Sequence, residues 1–222
     1  MRFAAIETST EWCSVALWSD GEIAALESRA GNRHSELALP MLERLLEKSG
    51  ITAAGLDAVA FGAGPGAFTG LRIACGLAQG LAFAGGLPVL GVSTLEALAQ
   101  ECGAPRVVAC LDARMQEVYY AALEKTADGW RELIAAQCVA PQLAPQPPGE
   151  AWVGCGNGFA TYPDLLKDSI SFVKSEIHPT AVAVAELAAP RLARGEGVDA
   201  ALAAPVYVRE KVAFTQEELG KR

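Results

Sequence analysis

The densest cluster of chemically useful groups in this sequence is a glycine-rich turn, Gly62-Ala63-Gly64-Pro65-Gly66, running on into Ala67-Phe68-Thr69-Gly70-Leu71-Arg72-Ile73. The turn follows an apolar run, Asp57 to Phe61, and opens into a helix. It therefore offers backbone amides and the positive end of a helix dipole to an anion. A phosphate-gripping loop of this kind ends in Gly-Lys-Ser or Gly-Lys-Thr, and Thr69-Gly70-Leu71 stands there instead. The lysine that reaches the terminal phosphates is missing. Glu7 ends an apolar run just before Thr8-Ser9-Thr10. Its carboxylate would either orient a magnesium-bound water or bond to the amides of its own turn. Asp112 and Arg114 read as an acid with an electrostatic clamp, as a structural ion pair at a strand turn, or with Arg114 turned to a partner. Arg72, on an otherwise apolar helix, would hold a partner carboxylate or a carbonyl of the turn. His34 lies beside a helix cap, a surface position, and His178 precedes Pro179 in a loop. Cys155-Gly156-Asn157-Gly158 keeps glycines suited to a second phosphate turn. The six cysteines form no Cys-x-x-Cys pair and no Cys/His cluster, so neither a zinc nor a redox site is signalled. They read as buried free thiols in a reducing cytoplasm.

The elements that must position these groups begin with three strands, Phe3 to Ile6, Ser14 to Trp18 and Ile23 to Glu27, with Ser19-Asp20-Gly21 as a turn. Ser35 is placed to cap a helix over about 36–49, which Gly50 closes. That helix carries Leu37, Leu39, Met41, Leu42, Leu45 and Leu46, a wider apolar arc than the roughly 100° stripe one packing face needs. Its excess must meet more of this chain or another protein, and Pro40 should bend it. A second helix, about 68–84, is apolar or small nearly all round. Two small-residue stripes recur at every fourth position, one through Gly70, Ala74, Ala78 and Ala82 and one through Gly76, Gly80 and Ala84. Helical glycine costs about 1 kcal/mol against alanine, so close approach of another helix must offset it. A short strand, Pro88 to Gly91, and a helix begun by Ser93-Thr94-Leu95-Glu96 complete a first half. A second unit starts after Gly103-Ala104-Pro105 with strands over 106–111, 117–123 and 130–139. A proline-rich connection over 141–149, a strand at Trp152-Val153-Gly154, and a helix over about 180–194, interrupted or ended near Pro190, follow. Pro205 to Arg209 is extended, and the charged tail from Glu210 is expected to be mobile.

At 222 residues, 51% hydrophobic and 20% charged, the chain has ample material for one large domain or two small ones. The net charge of -8 argues against a protein whose main task is gripping nucleic acid. An acid at position 7 interrupts the N-terminal apolar run, so no signal peptide is expected, and no stretch reads as a membrane span.

Glu7-Thr8-Ser9-Thr10, the glycine motif over 64–73, Asp112 to Tyr119 and Pro205-Val206-Tyr207-Val208-Arg209 together resemble the TsaB (YeaZ) family, over residues 1 to about 209. The resemblance implies an α/β chain with the actin-like ATPase (ASKHA) fold, its two duplicated subdomains at 1–102 and 103–222. It implies a cytoplasmic, non-catalytic subunit in the addition of a threonylcarbamoyl group to N6 of adenosine 37 in ANN-decoding tRNAs. The catalytic paralogue TsaD would be its partner, with the ATPase TsaE in a larger assembly, a functional link to TsaC, and tRNA met only through the complex. A homodimer through the same surface is implied when TsaD is absent. The binding surface falls on the two N-terminal helices, with Leu37, Met41, Leu45, Phe68, Leu71, Arg72, Ala74, Cys75, Ala78 and Ala82 as its expected residues. A bulky charge at Ala74 or Ala78 is expected to break assembly and spare the fold. No cofactor and no metal are expected. TsaD-like sequences carry a His-x-x-x-His metal pair where this chain has Thr94 and Leu98, and leucine cannot bind a metal. The opposing expectation is an ATP-binding enzyme of the same fold, a phosphotransferase or glycoprotease-like metallopeptidase.

Overall fold

The structure, a computed structural model, describes residues 1–209, so the tail from Glu210 lies outside the described residues. The first half runs β1 (Arg2–Glu7), β2 (Trp12–Ser19), β3 (Glu22–Arg29), α1 (His34–Ser49), β4 (Ala58–Gly64), α2 (Phe68–Gly85), β5 (Val89–Ser93) and α3 (Thr94–Cys102). The second runs β6 (Arg106–Asp112), β7 (Val118–Thr126), β8 (Gly129–Val139), β9 (Trp152–Cys155), α4 (Asn157–Thr161), β10 (Ile170–Lys174) and α5 (Ala181–Ala193). The strands form two five-stranded sheets, ordered β3-β2-β1-β4-β5 and β10-β9-β6-β7-β8. Read from its other edge, the second order repeats the first. Both central strands pair antiparallel with their successor, β1 with β2 and β6 with β7, and parallel with the next crossover strand, β4 or β9. This is the duplicated actin-like α/β fold.

The central strands are buried on both faces, which is why Phe3-Ala4-Ala5-Ile6 and Val107-Val108-Ala109-Cys110 read as unbroken apolar runs. Helices from each half cover the sheet of the other. Ala181, Val184, Ala185 and Ala188 of α5 pack on Phe3, Ala5, Ala16 and Ala60 of the first sheet. Leu95, Leu98 and Cys102 of α3 pack on Val107, Ala109 and Leu123 of the second. Packing thus crosses the sequence division near residue 102.

Several local expectations are corrected. The N-cap of α1 is Arg33, without a side-chain cap bond, so Ser35 lies inside the first turn. His34 is not a surface residue: it is buried, with Nε2 3.2 Å from the Trp12 carbonyl oxygen. α5 does not stop at Pro190 but runs to Ala193, because the proline sits on the exposed side while the alanine face stays against the sheet. α1 likewise continues through the exposed Pro40, and Gly50 closes it in the left-handed conformation.

Candidate functional site

The glycine turn is packed by its own subunit. Ala67 N–H donates to the Ser9 carbonyl at 2.7 Å, and Thr8 Oγ1 donates to the Gly70 carbonyl at 2.7 Å. A Cβ at residue 66 would come within 2.6 Å of the Ser9 carbonyl oxygen, and one at residue 70 would run into that of Thr8. The main chain of the β1–β2 turn therefore lies directly against the start of α2. Gly70→Ala should destabilise the protein by roughly 2–4 kcal/mol, because the obstacle is backbone and cannot turn aside. Urea unfolding midpoints of the two proteins check this, and an unchanged midpoint would contradict the packing. The second half repeats the arrangement. Gly156 and Gly158, in the turn after β9, lie against the carbonyl and thiol of Cys110 on β6. Both glycine turns use the missing side chain for close main-chain approach at the end of a central strand.

Glu7, at the end of β1, is fully buried, with Oε1 accepting the Ser9 amide at 2.6 Å and Oε2 without a partner. Burial pushes its carboxyl up to about 7, against hydrogen bonds from Ser9 and the field of His178. The bond to a turn amide is the bland alternative of the sequence reading. Asp112 and Arg114 form an ion pair at 3.3 Å, and the Arg114 amide also donates to Asp112 at 2.9 Å. His178 stacks on Trp12, with Nε2 3.1 Å from Glu27.

The cleft between the halves is closed by the segment 203–209. Val206 N–H donates to Ala63 O at 2.7 Å, and the Val206 carbonyl comes so close that a Cβ at Gly64 would lie 2.6 Å from it. Gln79 donates to the Ala203 carbonyl at 3.0 Å. Among the described residues Arg72 donates to neither a carboxylate nor a turn carbonyl. Its Nε donates to the Tyr207 hydroxyl at 3.1 Å, and its guanidinium sits 3.6 Å over the Phe68 ring. On the other wall Arg209 pairs with Glu117 at 2.6 Å and reaches the Arg114 carbonyl at 3.4 Å. That contact braces a hairpin in which Arg114, Met115 and Gln116 are all left-handed, a conformation costing about 1–2 kcal/mol per residue. Pro65, Phe68, Leu71, Tyr119 and Val206 line what remains, a cavity of about 20 Å³, room for one water.

Beside this cleft, α2 keeps one face uncovered by any of the described residues. Six of the ten expected interface residues turn inward: Leu45, Leu71, Ala74, Cys75, Ala78 and Ala82 are all buried in their own subunit. Ala74, Cys75, Ala78 and Ala82 pack on Ile6, Val59 and Phe61 of the first sheet. A residue sealed under its own sheet is unavailable to a partner, whereas the other stripe of the helix points outward. Gly76 and Gly80 are exposed, with no atom within 4 Å of where a Cβ would stand. Phe83 is 80% exposed, and Phe68 and Arg72 keep outward faces. Leu37 and Met41 of α1, both half-buried, pack with Leu77 of α2 on the cluster of Cys13, Ala30 and Ala38.

Sequence comparison matches this topology. A family model described as TsaD, tRNA N6-adenosine threonylcarbamoyltransferase, matches residues 27–200. The tRNA threonylcarbamoyladenosine biosynthesis protein TsaB of Escherichia coli (strain K12) is 40% identical over 96% of this chain and 97% of its own length. The chain belongs to the TsaB (YeaZ) family. The Haemophilus influenzae TsaB is 37% identical over 95% of this chain and 94% of its own length. YeaZ from Pseudomonas aeruginosa superposes with a TM-score of 0.88 at 40% identity, covering 93% of this chain and 99% of that one. Membership in the TsaB family places the chain in tRNA threonylcarbamoyladenosine biosynthesis. Thr94 and Leu98 are fully buried, Leu98 within the apolar core. Among the described residues no helix is long and apolar enough to cross a membrane.

Proposed function

We propose that this TsaB-family chain is the non-catalytic subunit that binds and activates TsaD in the cytoplasmic modification of adenosine 37. The observation that carries the reading is the uncovered stripe of α2, Gly76, Gly80 and Phe83, continued by Met41 and Leu37 on α1. A helix face made of glycine lets a second helix come close, and only such an approach offsets what those glycines cost the isolated helix. The matching helix pair of TsaD is its occupant, and a second copy of this chain takes the same place when TsaD is absent. TsaE joins the larger assembly, TsaC supplies the activated intermediate, and tRNA is met through the complex. Two features favour a supporting role over chemistry in this subunit. Its own main chain packs both glycine turns, and segment 203–209 lies in the cleft between the halves.

Mixing the purified chain with TsaD should give a heterodimer by light scattering and restore threonylcarbamoylation of tRNA in a reconstituted system. A system equally active without the chain would end the proposal. Tight one-site binding of ATP and magnesium by the isolated chain would favour the enzyme reading.

A further inference from the structure

Two cysteines that lie far apart in sequence converge between the halves. Cys102 ends α3, and Cys155 ends β9. Cys155 Sγ is 3.7 Å from the Leu98 carbonyl oxygen, the acceptor of the last α-helical turn before Cys102. Lys174 is the register partner of Cys155 on β10, and its Nζ donates to the Cys102 carbonyl at 2.8 Å. The thiol pair and the ammonium therefore share one corner of the core, where both sulfurs are buried in the same apolar cluster. Cys110 is the obvious competitor, because Ala109 beside it pairs with Cys155 in the sheet. The pleat turns Cys110 to the opposite face, into a different cluster.

We propose that Cys102 and Cys155 are a peroxide-reactive dithiol, a modification site that closes to a disulfide joining the end of α3 to β9. The Cys102 thiolate attacks one oxygen of the peroxide, the O–O bond breaks, and hydroxide leaves to be protonated to water. The Cys155 thiol then attacks the sulfenic sulfur, the S–S bond forms, and a second water leaves carrying the sulfenic oxygen and the Cys155 proton. Two thiols are oxidised by two electrons and one peroxide is reduced to two waters. Cys102 is the attacking group. The neighbouring Cys155 thiol, the Ala104 amide and the charge of Lys174 pull its thiol down to about 6, against burial. Burial holds Cys155 well above the usual thiol range, the setting of a resolving thiol.

The test treats the folded, full-length protein with hydrogen peroxide, blocks remaining thiols, digests without reduction and maps linked peptides by mass spectrometry. The expected product is a Cys102–Cys155 peptide pair two hydrogens lighter than the separate peptides, formed before any other link. Cys155→Ser should instead trap a sulfenic acid on Cys102 that dimedone labels. If Cys155→Ser does not fold, the wild-type map alone decides the matter. A Cys110–Cys155 link, or oxidation of Cys138 with Cys102 and Cys155 still reduced, would overturn the proposal.

Discussion

Gly80→Glu should leave the fold intact and abolish assembly with TsaD, while Ala78→Glu, two residues away, should unfold the chain. The contrast follows from which way each position points. Ala78 has no exposed surface and packs on the first sheet. A carboxylate there would be buried without a partner, a cost of at least about 4 kcal/mol, comparable with the whole stability of a marginal domain. Gly80 faces open space. Replacing a helical glycine with a good helix former gains a few tenths to 1 kcal/mol, so the melting temperature of Gly80→Glu should equal or exceed that of the parent. The added side chain and its charge then stand where the partner helix must approach. We expect at least a hundredfold loss of TsaD affinity, about 2.7 kcal/mol, read by calorimetric titration. Circular dichroism melting of both variants separates the two outcomes. If Gly80→Glu keeps full affinity for TsaD, the uncovered stripe is not the interface.

The same pair of residues shows where sequence reading stopped. Both small-residue stripes on α2 were legible as period-four patterns, and the helix was placed to within a residue of its observed end, Gly85. Their direction was not legible, because a small residue suits a tightly packed sheet as well as a tightly packed helix. The larger side chains between the stripes settle it in the fold. Leu71 is buried by the sheet and the returning segment at 203–209, and Phe83 is left outside. For this reason a charge at Ala74 or Ala78 is expected to cost the fold rather than spare it.

The first half was read element by element because each helix there carries a wide apolar face. In the second half α4 and β10 went unread. α4 has five residues, too few to show periodicity and held by the turn at Gly156. β10 exposes Phe172 and Val173 at the sheet edge, so no inward-outward alternation marks it, and its pairing with β9 is a main-chain matter. The role of 205–209 was invisible for a related reason. An extended piece was readable, but its partners, Ala63, Phe68 and Arg72, lie more than a hundred residues earlier. The arginine on an apolar helix reads from sequence as seeking a partner carboxylate or a turn carbonyl, and its tyrosine partner leaves no local signal. Neither the cysteine pair nor the burial of His34 left any local signal.

Glu7→Gln should remove the pH dependence of stability that the buried Glu7 carboxyl supplies. Glu7 ends β1 beneath Gly62, where a Cβ would collide with its Oε2, so the carboxyl is sealed from water with one oxygen unpaired. Desolvation raises its folded pKa to about 7 from an ordinary 4.5. For an acid raised on folding, the folded state holds the proton more tightly, so stability is greatest at low pH. It falls as pH climbs from about 4.5 to 7, and it is flat above. At about 1.4 kcal/mol per pH unit, the loss across that window is on the order of 3 kcal/mol. A glutamine of the same shape carries no proton equilibrium, so its curve should lack this fall. Urea unfolding at pH 5 and pH 8 tests it. The effect of Glu7→Gln should shift toward stabilisation by about 2.5 kcal/mol between the two, and titration of the other acids cancels in the difference. An unchanged difference would mean that Glu7 is already ionised in the fold at pH 5. The amide bond from Ser9 would then outweigh burial.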